Sequence, residues 1–298
     1  MRTLDAEQTR AALPFSRLIE ALRAAFAEGA AAPMRHHHEL PHGAALLLMP
    51  AWQSDFLGVK LVTVHPANAG RDLPAVHATY LLSDAATGAP LALLDGDVLT
   101  ARRTAAASAL AASFLARGDS SRLLVVGAGR VASLMPEAHA SVRPIRVVEV
   151  WNPTAGRGDK LVADLRGLGF EARRVDDLAA AVGRADIVSC ATLARAPLIE
   201  GPWLRPGVHL DLAGAYTPEM READAASLAR ATVFADTEAA LYESGELAGL
   251  APQDLRGTLA TLCRGEKGRR TADEITLFKS VGTALEDLAA ARLAYATS

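Results

Sequence analysis

Arg122-Leu-Leu-Val-Val-Gly-Ala-Gly-Arg-Val-Ala132 is the most informative stretch of the chain, because a short apolar strand runs into a glycine turn and an alanine-rich segment. Gly127 permits the tight turn, Gly129 removes a Cβ where a pyrophosphate would approach, and Ala132 allows close packing of helix on strand. A helix starting after the turn would add N–H donors and partial positive charge. The stretch predicts a dinucleotide-binding unit, although a plain strand–turn–helix connection has the same short pattern.

The composition is that of a folded globular chain of 298 residues, long enough for two domains. Half of the residues are hydrophobic, which supplies the apolar surface that such cores need. The net charge of −3 arises from interspersed charges of both signs, so we expect no nucleic-acid partner. Cys190 and Cys263 lie in different segments without metal-ligand spacing, and we expect them to be small, reduced side chains.

Signals for a membrane, for export and for a metal are weak. The longest apolar run, 44–52, contains Pro50 and is far shorter than the about 20 residues of a membrane helix. Acidic residues occupy the N-terminal stretch where a signal peptide would be apolar. The adjacent histidines 36–38 would alternate in direction on an extended strand, so they cannot all reach one ion without a bend in the chain. We expect a cytoplasmic protein that binds no metal and no membrane.

The first part of the chain has the pattern of a helix followed by a sheet. Apolar residues at helical spacing predict an amphipathic helix over Ser16–Ala27 that Gly29 ends. Strand-like runs that predict a largely antiparallel sheet follow at 44–49, 58–64 and 75–82. A turn-rich stretch lies at 66–72. Thr100 is the predicted N-cap of a long alanine-rich helix that ends before Gly118.

In the second part, strands and helices alternate, which is typical of a doubly wound parallel sheet. Six strands are predicted, near 122–126, 145–151, 170–175, 186–191, 208–213 and 232–236. Pro136 falls inside the first predicted helix and is expected to kink or shorten it. The last segment, 273–296, has a helical pattern that would pack back on the first part. The fold class is therefore α/β, with a nucleotide-binding domain over 118–272 and a discontinuous α+β domain over 1–117 and 273–298.

Three cations of the first part, Arg35, Lys60 and Arg103, stand out by context, although a single cation is usually a solvated surface residue. Lys60 lies inside an apolar strand, where its side chain must alternate outward or face a cavity. Arg103 and Thr104 would lie in the first turn of the helix capped by Thr100, where the helix end attracts an anion. They are candidates for binding an anionic substrate or cofactor.

Six segments carry a resemblance to a known family. They are Gly58-Val-Lys-Leu-Val-Thr-Val-His-Pro66, Leu73-Pro-Ala-Val-His-Ala78, Leu94-Asp-Gly-Asp-Val-Leu-Thr-Ala-Arg-Arg-Thr-Ala-Ala106, Val126-Gly-Ala-Gly129, Asp186-Ile-Val-Ser-Cys-Ala-Thr192 and Leu277-Phe-Lys-Ser-Val-Gly-Thr-Ala-Leu-Glu-Asp287. In this order they closely resemble the ornithine cyclodeaminase and mu-crystallin family over nearly the whole chain. The most diagnostic pieces are 103–106 and 280–287.

The resemblance implies a Rossmann domain, NAD(P) as cofactor, and a second domain, built from both chain ends, that binds substrate and forms a homodimer. Family members oxidise or reduce the C–N bond at the α-carbon of a small amino acid or cyclic imino acid. By motif position, Arg35 and Arg103 grip the substrate carboxylate, and Lys60 lies beside the reacting C–N centre. Guanidinium groups match a carboxylate in bidentate fashion. Neighbouring cations would lower the pKa of Lys60, so that it exchanges a proton near neutral pH.

The resemblance also assigns residues to the cofactor. They are Gly127, Gly129, Arg130 and Val131 at the pyrophosphate, Asn152 at the adenosine ribose, Thr192 beside the cofactor, and Ser280 with Val281 near the nicotinamide. Arg103 and Thr104 are further candidates for the cofactor, and Val281 is one for the substrate.

The residue at the adenosine ribose bears on the choice between NAD and NADP. The second strand ends in Asn152 instead of the Asp or Glu that would select NAD, and Arg157 follows. A neutral amide near an arginine tolerates a 2′-phosphate. Pro153 stands where many relatives carry an arginine. The pattern therefore favours NADP slightly and leaves NAD open.

The main departure from the family pattern is Tyr216, within Gly214-Ala-Tyr-Thr-Pro218. The resemblance places an aspartate there in ornithine cyclodeaminases, where it acts in proton transfer near the substrate amines. Tyrosine is neutral at pH 7 and gives a diamine no counter-charge. We therefore expect reduction of a preformed cyclic imine, pyrroline- or piperideine-2-carboxylate, in which Tyr216 donates a hydrogen bond or shapes the pocket. The alternatives are an amino-acid dehydrogenase-like activity on alanine, an ornithine cyclodeaminase, which forms proline and ammonia, and a mu-crystallin-like protein that binds NADPH and a ligand without turnover.

Overall fold

The computed structural model describes residues 1–71 and 73–298. Asp72, the last residue of the predicted turn-rich stretch 66–72, lies outside the described residues. The chain forms two compact units. Unit 1 is Met1–Arg103 together with Thr283–Ser298, and unit 2 is Thr104–Gly282. The domain boundaries predicted from the sequence fall after 117 and 272, and the compact units divide after 103 and 282.

The elements of the described residues are as follows. The strands are β1 Arg2–Leu4, β2 His36–Leu40, β3 Ala44–Gln53, β4 Phe56–Val64, β5 Val76–Asp84, β6 Pro90–Asp95, β7 Arg122–Val126, β8 Val147–Trp151, β9 Glu171–Arg174, β10 Ile187–Cys190, β11 His209–Leu212, β12 Thr232–Ala235, β13 Leu255–Thr258 and β14 Thr276–Lys279. The α-helices are α1 Ala6–Ala12, α2 Phe15–Glu28, α3 Gly96–Leu115, α4 Met135–Ala140, α5 Ala155–Gly167, α6 Leu178–Val182, α7 Ala225–Arg230, α8 Ala240–Glu243, α9 Leu259–Cys263 and α10 Ala284–Thr297.

The sheet of unit 1 runs, in the described ranges, in the order β1-β6-β5-β4-β3-β2. The β1–β6 pair is parallel, and the four remaining pairs are antiparallel. The predicted antiparallel sheet is confirmed for β3, β4 and β5. Strands β1, β2 and β6 were not predicted from the sequence.

Helices α2 and α10 pack against each other, and α10 also packs on β3, β4 and β5. The predicted amphipathic helix is confirmed as α2, whose buried face is apolar and comprises Phe15, Leu18, Ile19, Leu22, Ala25 and Phe26. Gly29 ends it with φ +82°. The opposite face of the sheet presents exposed apolar side chains, among them Trp52, Leu57 and Leu61. The sheet of unit 1 thus has two apolar faces, one of which is covered by α10.

The predicted cap of the long helix is wrong. Helix α3 begins at Gly96, because the backbone N–H of Val98 donates to Asp95 Oδ1 at 2.8 Å and so satisfies a donor of the first turn. Thr100 consequently lies inside the helix. Arg103 and Thr104 lie beyond its first turn, so the attraction of a helix end for anions does not reach them.

Unit 2 is a doubly wound parallel sheet with the described strand order β13-β12-β14-β11-β10-β7-β8-β9. The six predicted strands are confirmed as β7 to β12, whereas β13 and β14 were not predicted. The predicted helix over 273–296 is wrong at its start, because β14 pairs with β11 and β12 and α10 begins only at Ala284. Chain order reverses at β7, which has β8 on one side and β10 on the other. Ligands of such sheets bind at this switch point, outside the carboxyl ends of the strands.

The segment after β7 contains less helix than the glycine pattern predicted. A 3₁₀ turn at Ala132–Leu134 comes first, and the six-residue α4 follows with Pro136 in its first turn. Proline is tolerated there because that N–H has no partner within the helix. The expected shortening by Pro136 is confirmed. A helix directly after Gly129 is not formed, so the donors of this loop are its own backbone N–H groups.

Among the described residues, no helix combines the length and the apolar character needed to cross a bilayer.

Candidate active site

Unit 1 buries a cluster of four charged side chains: Lys60, Arg103, Glu286 and Asp287. Lys60 is 2 % exposed, and its Nζ lies 2.8 Å from Asp287 Oδ2 and 3.0 Å from Oδ1. Arg103 donates from Nε to Asp287 Oδ1 at 2.9 Å and from a terminal nitrogen to Glu286 Oε2 at 2.6 Å. Both carboxylates are fully buried. Two cations and two anions therefore compensate each other inside unit 1, which is the condition for burying charge.

Strand alternation and the start of a helix bring these groups together. In β4, Lys60 shares its face with the buried Val62, while Leu57 and Leu61 point to the exposed face. Of the two orientations that the sequence left open, Lys60 therefore faces inward. Glu286 and Asp287 lie in the first turn of α10, where the helix dipole stabilises carboxylates.

The electrostatics of the cluster place Lys60 within reach of neutral pH. Burial, aided by the positive charges of Arg103 and Arg35, lowers the pKa of Lys60 from 10.5 to about 8 against the opposing charge of Asp287. The sequence predicted this direction from neighbouring cations, and burial is the larger cause. Burial alone would raise the pKa of Asp287, but Lys60 and Arg103 outweigh it and lower that pKa below 3.8. Lys60 can thus donate or accept a proton near pH 8 beside a carboxylate that stays charged.

Arg103 has contacts that the sequence did not predict. Two of its three guanidinium nitrogens donate hydrogen bonds to Asp287 and Glu286. The guanidinium group is therefore not reserved for a substrate carboxylate. Arg35 lies just before β2, is partly exposed, and is near enough to Lys60 to affect its pKa. The three predicted substrate cations therefore all belong to unit 1, with Lys60 and Arg103 joined through Asp287. Thr104 is buried in unit 2.

In unit 2 the predicted cofactor residues follow the carboxyl ends of adjacent parallel strands. Gly127 and Gly129 follow β7, Asn152 follows β8, Thr192 follows β10, Tyr216 lies in the loop after β11, and Ser280 with Val281 follows β14. These strands are neighbours in the sheet order β14-β11-β10-β7-β8. Since neighbouring parallel strands end at the same edge, the sheet brings these residues to one edge, at the switch point.

The glycine turn has the geometry that a pyrophosphate requires. Gly127 has φ +115°, and a Cβ there would lie 2.8 Å from the carbonyl oxygen of Ala191. A Cβ on Gly129 would meet nothing within 4 Å, so its backbone borders open space. Arg130 is exposed and Val131 partly exposed. The turn therefore fits a dinucleotide through backbone N–H groups that a ligand can approach.

The residue predicted to contact the adenosine ribose, Asn152, carries a neutral amide. Asn152 is partly exposed and donates from Nδ2 to the carbonyl oxygen of Thr154 at 2.9 Å. Glu149, the acid of the same strand, is buried and accepts hydrogen bonds from Arg173 and Arg184. Glu149 is thus committed to a structural ion pair. Arg157 is exposed at the start of α5.

A buried carboxylate holds the turn that carries Ser280 and Val281. Oδ2 of Asp236 accepts hydrogen bonds from Ser280 Oγ at 3.1 Å, Val281 N at 2.7 Å and Gly282 N at 2.6 Å. Asp236 follows β12, the sheet neighbour of β14. The backbone beside the two predicted residues is therefore fixed by one fully buried acid.

The acids of the site were not predicted from the sequence: Glu286, Asp287, Asp236 and Glu222, whose carboxylate bonds Thr192. A signal was present for two of them, because Glu286 and Asp287 are adjacent acids at the start of a largely apolar helix. Acids in a buried helix need cationic partners. The pairing itself joins residues 184 and 227 positions apart, which no local pattern reveals.

Comparison with known proteins adds independent evidence. The sequence model of the ornithine cyclodeaminase/mu-crystallin family matches residues 3–298. A Delta(1)-pyrroline-2-carboxylate reductase of Colwellia psychrerythraea is 38 % identical over 307 residues, covering 98 % of this chain and 97 % of that protein. The structure of Thermococcus litoralis Delta(1)-pyrroline-2-carboxylate reductase in complex with NADH and L-proline has a TM-score of 0.94 at 35 % identity, covering 100 % of this chain and 97 % of that one. An archaeal alanine dehydrogenase dimer with bound NAD has a TM-score of 0.94 at 28 % identity, covering 100 % and 95 %.

Proposed function

We propose that this chain, which belongs to the ornithine cyclodeaminase/mu-crystallin family, reduces the C=N bond of a small cyclic imino acid, pyrroline- or piperideine-2-carboxylate. The resemblance inferred from the motifs is confirmed by the family match. The chain is an NAD(P)-dependent oxidoreductase of this family. The observation that carries the finer proposal is Lys60, a buried amine of pKa about 8 held by Asp287.

Unit 2 binds the cofactor in this proposal. Gly127, Gly129, Arg130 and Val131 hold the pyrophosphate, Asn152 the adenosine ribose, and Thr192, Ser280 and Val281 the nicotinamide half, with Arg103 and Thr104 as further contacts. When bound, the nicotinamide supplies the hydride for the carbon of the C=N bond. The amide of Asn152, with Arg157 nearby in sequence and Glu149 occupied by arginines, favours NADP slightly over NAD.

Unit 1 binds the imino acid in this proposal. Arg35 and Arg103 hold its carboxylate, and Lys60 delivers a proton to the imine nitrogen. Val281 remains a further candidate for the substrate. The nitrogen gains a proton and the α-carbon gains a hydride, so the product is the cyclic amino acid. Asp287 keeps Lys60 in one orientation and Arg103 keeps Asp287 charged, which fixes the donor before the substrate arrives.

Tyr216 favours reduction over deaminating cyclisation of ornithine. It is partly exposed in the loop after β11 and brings no negative charge to that loop. At position 216 a diamine substrate finds no carboxylate for its second amine, whereas an imino acid needs only a hydrogen bond or an apolar contact there. The relative solved with NADH and L-proline, the reduced form of pyrroline-2-carboxylate, agrees with this choice.

We also propose that the functional form is a homodimer. The face of the unit 1 sheet opposite α10 exposes Trp52, Leu57 and Leu61, and Trp52 pairs with Leu57 in register. A contiguous apolar sheet face calls for a partner surface. A second copy of the chain fits this face because the related alanine dehydrogenase is a dimer.

The proposal is tested by following NADH and NADPH oxidation with pyrroline-2-carboxylate and piperideine-2-carboxylate, beside an assay for proline and ammonia from ornithine. We expect turnover with at least one of the two imines and none with ornithine. Proline formed from ornithine would overturn the interpretation of Tyr216. Cofactor binding without turnover of either imine would instead favour the mu-crystallin-like binder.

A further inference from the structure

Glu222 joins two of the strand ends that carry predicted cofactor and substrate residues. It is fully buried in the segment between β11 and α7. Its Oε1 accepts hydrogen bonds from Thr192 N at 2.7 Å and Thr192 Oγ1 at 2.8 Å. Its Oε2 accepts from Gly214 N at 2.8 Å and from Ala215 N at 3.3 Å. One carboxylate thus bridges the loop after β10 to the loop after β11.

The two loops touch where Glu222 bridges them. A Cβ on Gly214 would lie 2.1 Å from the carbonyl oxygen of Thr192 and 2.5 Å from Glu222 Oε1. Only glycine fits there, so the backbone of one loop lies directly on the other. Tyr216 follows two residues later. Glu222 therefore holds both Thr192 and the backbone of Gly214 and Ala215 that leads into Tyr216.

The segment of Glu222 is itself held on both sides. Its carbonyl oxygen accepts hydrogen bonds from Leu198 N at 2.8 Å and Ile199 N at 3.0 Å, and its N–H donates to the carboxylate of Glu246. The carboxylate therefore projects from a fixed backbone. This is the arrangement of a rigid support beneath a binding loop.

We propose that Glu222 is a positioning residue that holds Thr192 and the Gly214–Tyr216 loop at the nicotinamide half of the cofactor site. It rests on the proposed function in one respect, the assignment of the nicotinamide half of the cofactor to the loops that follow β10 and β11. An ionised carboxylate accepts on both oxygens, whereas an amide accepts on one and donates from the other. Glutamine at this position would therefore direct an N–H donor against the N–H of one of the loops, and the two loops would separate.

The test measures by calorimetry how tightly the Glu222→Gln variant binds two kinds of ligand, a fragment of the cofactor and the whole dinucleotide. ADP and its 2′-phosphate contain only the adenosine and pyrophosphate parts, and NADH and NADPH add the nicotinamide and its ribose. We expect the affinity for the preferred dinucleotide to fall at least about tenfold, as for a lost charge-assisted hydrogen bond. The matching ADP ligand should bind within about twofold of wild type, as after a change remote from its contacts. In the imine assay, kcat should fall about 10- to 100-fold, as for a displaced reacting group.

The matched control is Glu171→Gln, which removes the same charge from an exposed position at the amino end of β9 and should leave both affinities unchanged. Glu222→Asp, which keeps the charge on a side chain one methylene shorter, should show the same selective loss in weaker form, and it serves if the glutamine variant does not fold. Equal losses for both ligands, or unchanged dinucleotide affinity in a folded variant, would overturn the proposal. Because the binding test uses no imine, its result is independent of which substrate the enzyme reduces.

Discussion

Lys60→Met is expected to abolish imine reduction, with kcat lower by at least about 100-fold, the loss expected when a general acid is removed. Methionine keeps much of the volume of the buried side chain but cannot protonate the imine nitrogen. Cofactor affinity, measured by calorimetry with NADH and NADPH, should remain at the wild-type value because Lys60 is not one of the residues proposed to hold the cofactor. Lys60→Ala should lose turnover in the same way.

The pH profile separates loss of the proton donor from loss of shape. With the pKa of Lys60 at about 8, the wild-type kcat/KM for imine reduction should fall as the pH rises through 8, because the donor loses its proton. Oxidation of the cyclic amino acid should rise over the same range. Lys160→Met, at an exposed lysine, should keep both the fall of reduction and the rise of oxidation near pH 8. A fully active Lys60→Met, or one that retains the limb near pH 8, would remove Lys60 from the mechanism.

Asp287→Asn is expected to cost stability as well as activity. It leaves Lys60 and Arg103 buried with Glu286 as the remaining acid of the cluster, and breaking a buried ion pair on one side costs about 3–5 kcal/mol. Urea unfolding followed by circular dichroism measures the loss. Asp164→Asn, at an exposed carboxylate paired with Lys160, is the matched control and should change stability by less than about 1 kcal/mol.

The double variant Lys60→Met/Asp287→Leu tests whether the cost comes from uncompensated charge. Replacing both partners of a buried pair by apolar groups of similar volume is often neutral or stabilising, so most of the lost stability should return. Activity should stay absent, because the proton donor is gone. If Asp287→Asn is as stable as wild type, or if the double variant is no more stable than the single one, the four charges do not form one electrostatic unit.

The alternation of strands and helices along unit 2 could be predicted from the sequence, whereas a four-residue strand and the exact start of a helix could not. The strands β7 to β12 alternate with helical segments and were predicted within a few residues. Strand β14 has four residues and only residues 280–283 separate it from α10, so the two gave one helical pattern. The cap of α3 was misplaced because Asp95 and Thr100 both suit a helix start, and the hydrogen bond from Val98 N selects Asp95.

The residues of the candidate site that belong to a sequence motif could be predicted. Those that belong to it only through an ion pair with a distant residue were missed. Gly127, Gly129 and Thr192 stand at strand ends that the βα rhythm places on one edge. The sequence left two orientations open for Lys60, because the face that a strand residue occupies depends on how the strand is paired and packed. The structure shows that Lys60 faces inward. Asp287 lies within a diagnostic motif but received no role from the sequence, because its partners Lys60 and Arg103 come from the other end of the chain.

Deuterium transfer from a nicotinamide labelled at C4 shows directly whether the hydride reaches the α-carbon of the imino acid. The enzyme would be given pyrroline-2-carboxylate with labelled NADH or NADPH, prepared with deuterium on either face, and the proline formed would be analysed by mass spectrometry and NMR. We expect deuterium on the α-carbon from one of the two labelled faces. Proline that carries no label from either face, or the absence of turnover with both cofactors and both imines, would contradict imine reduction by this protein.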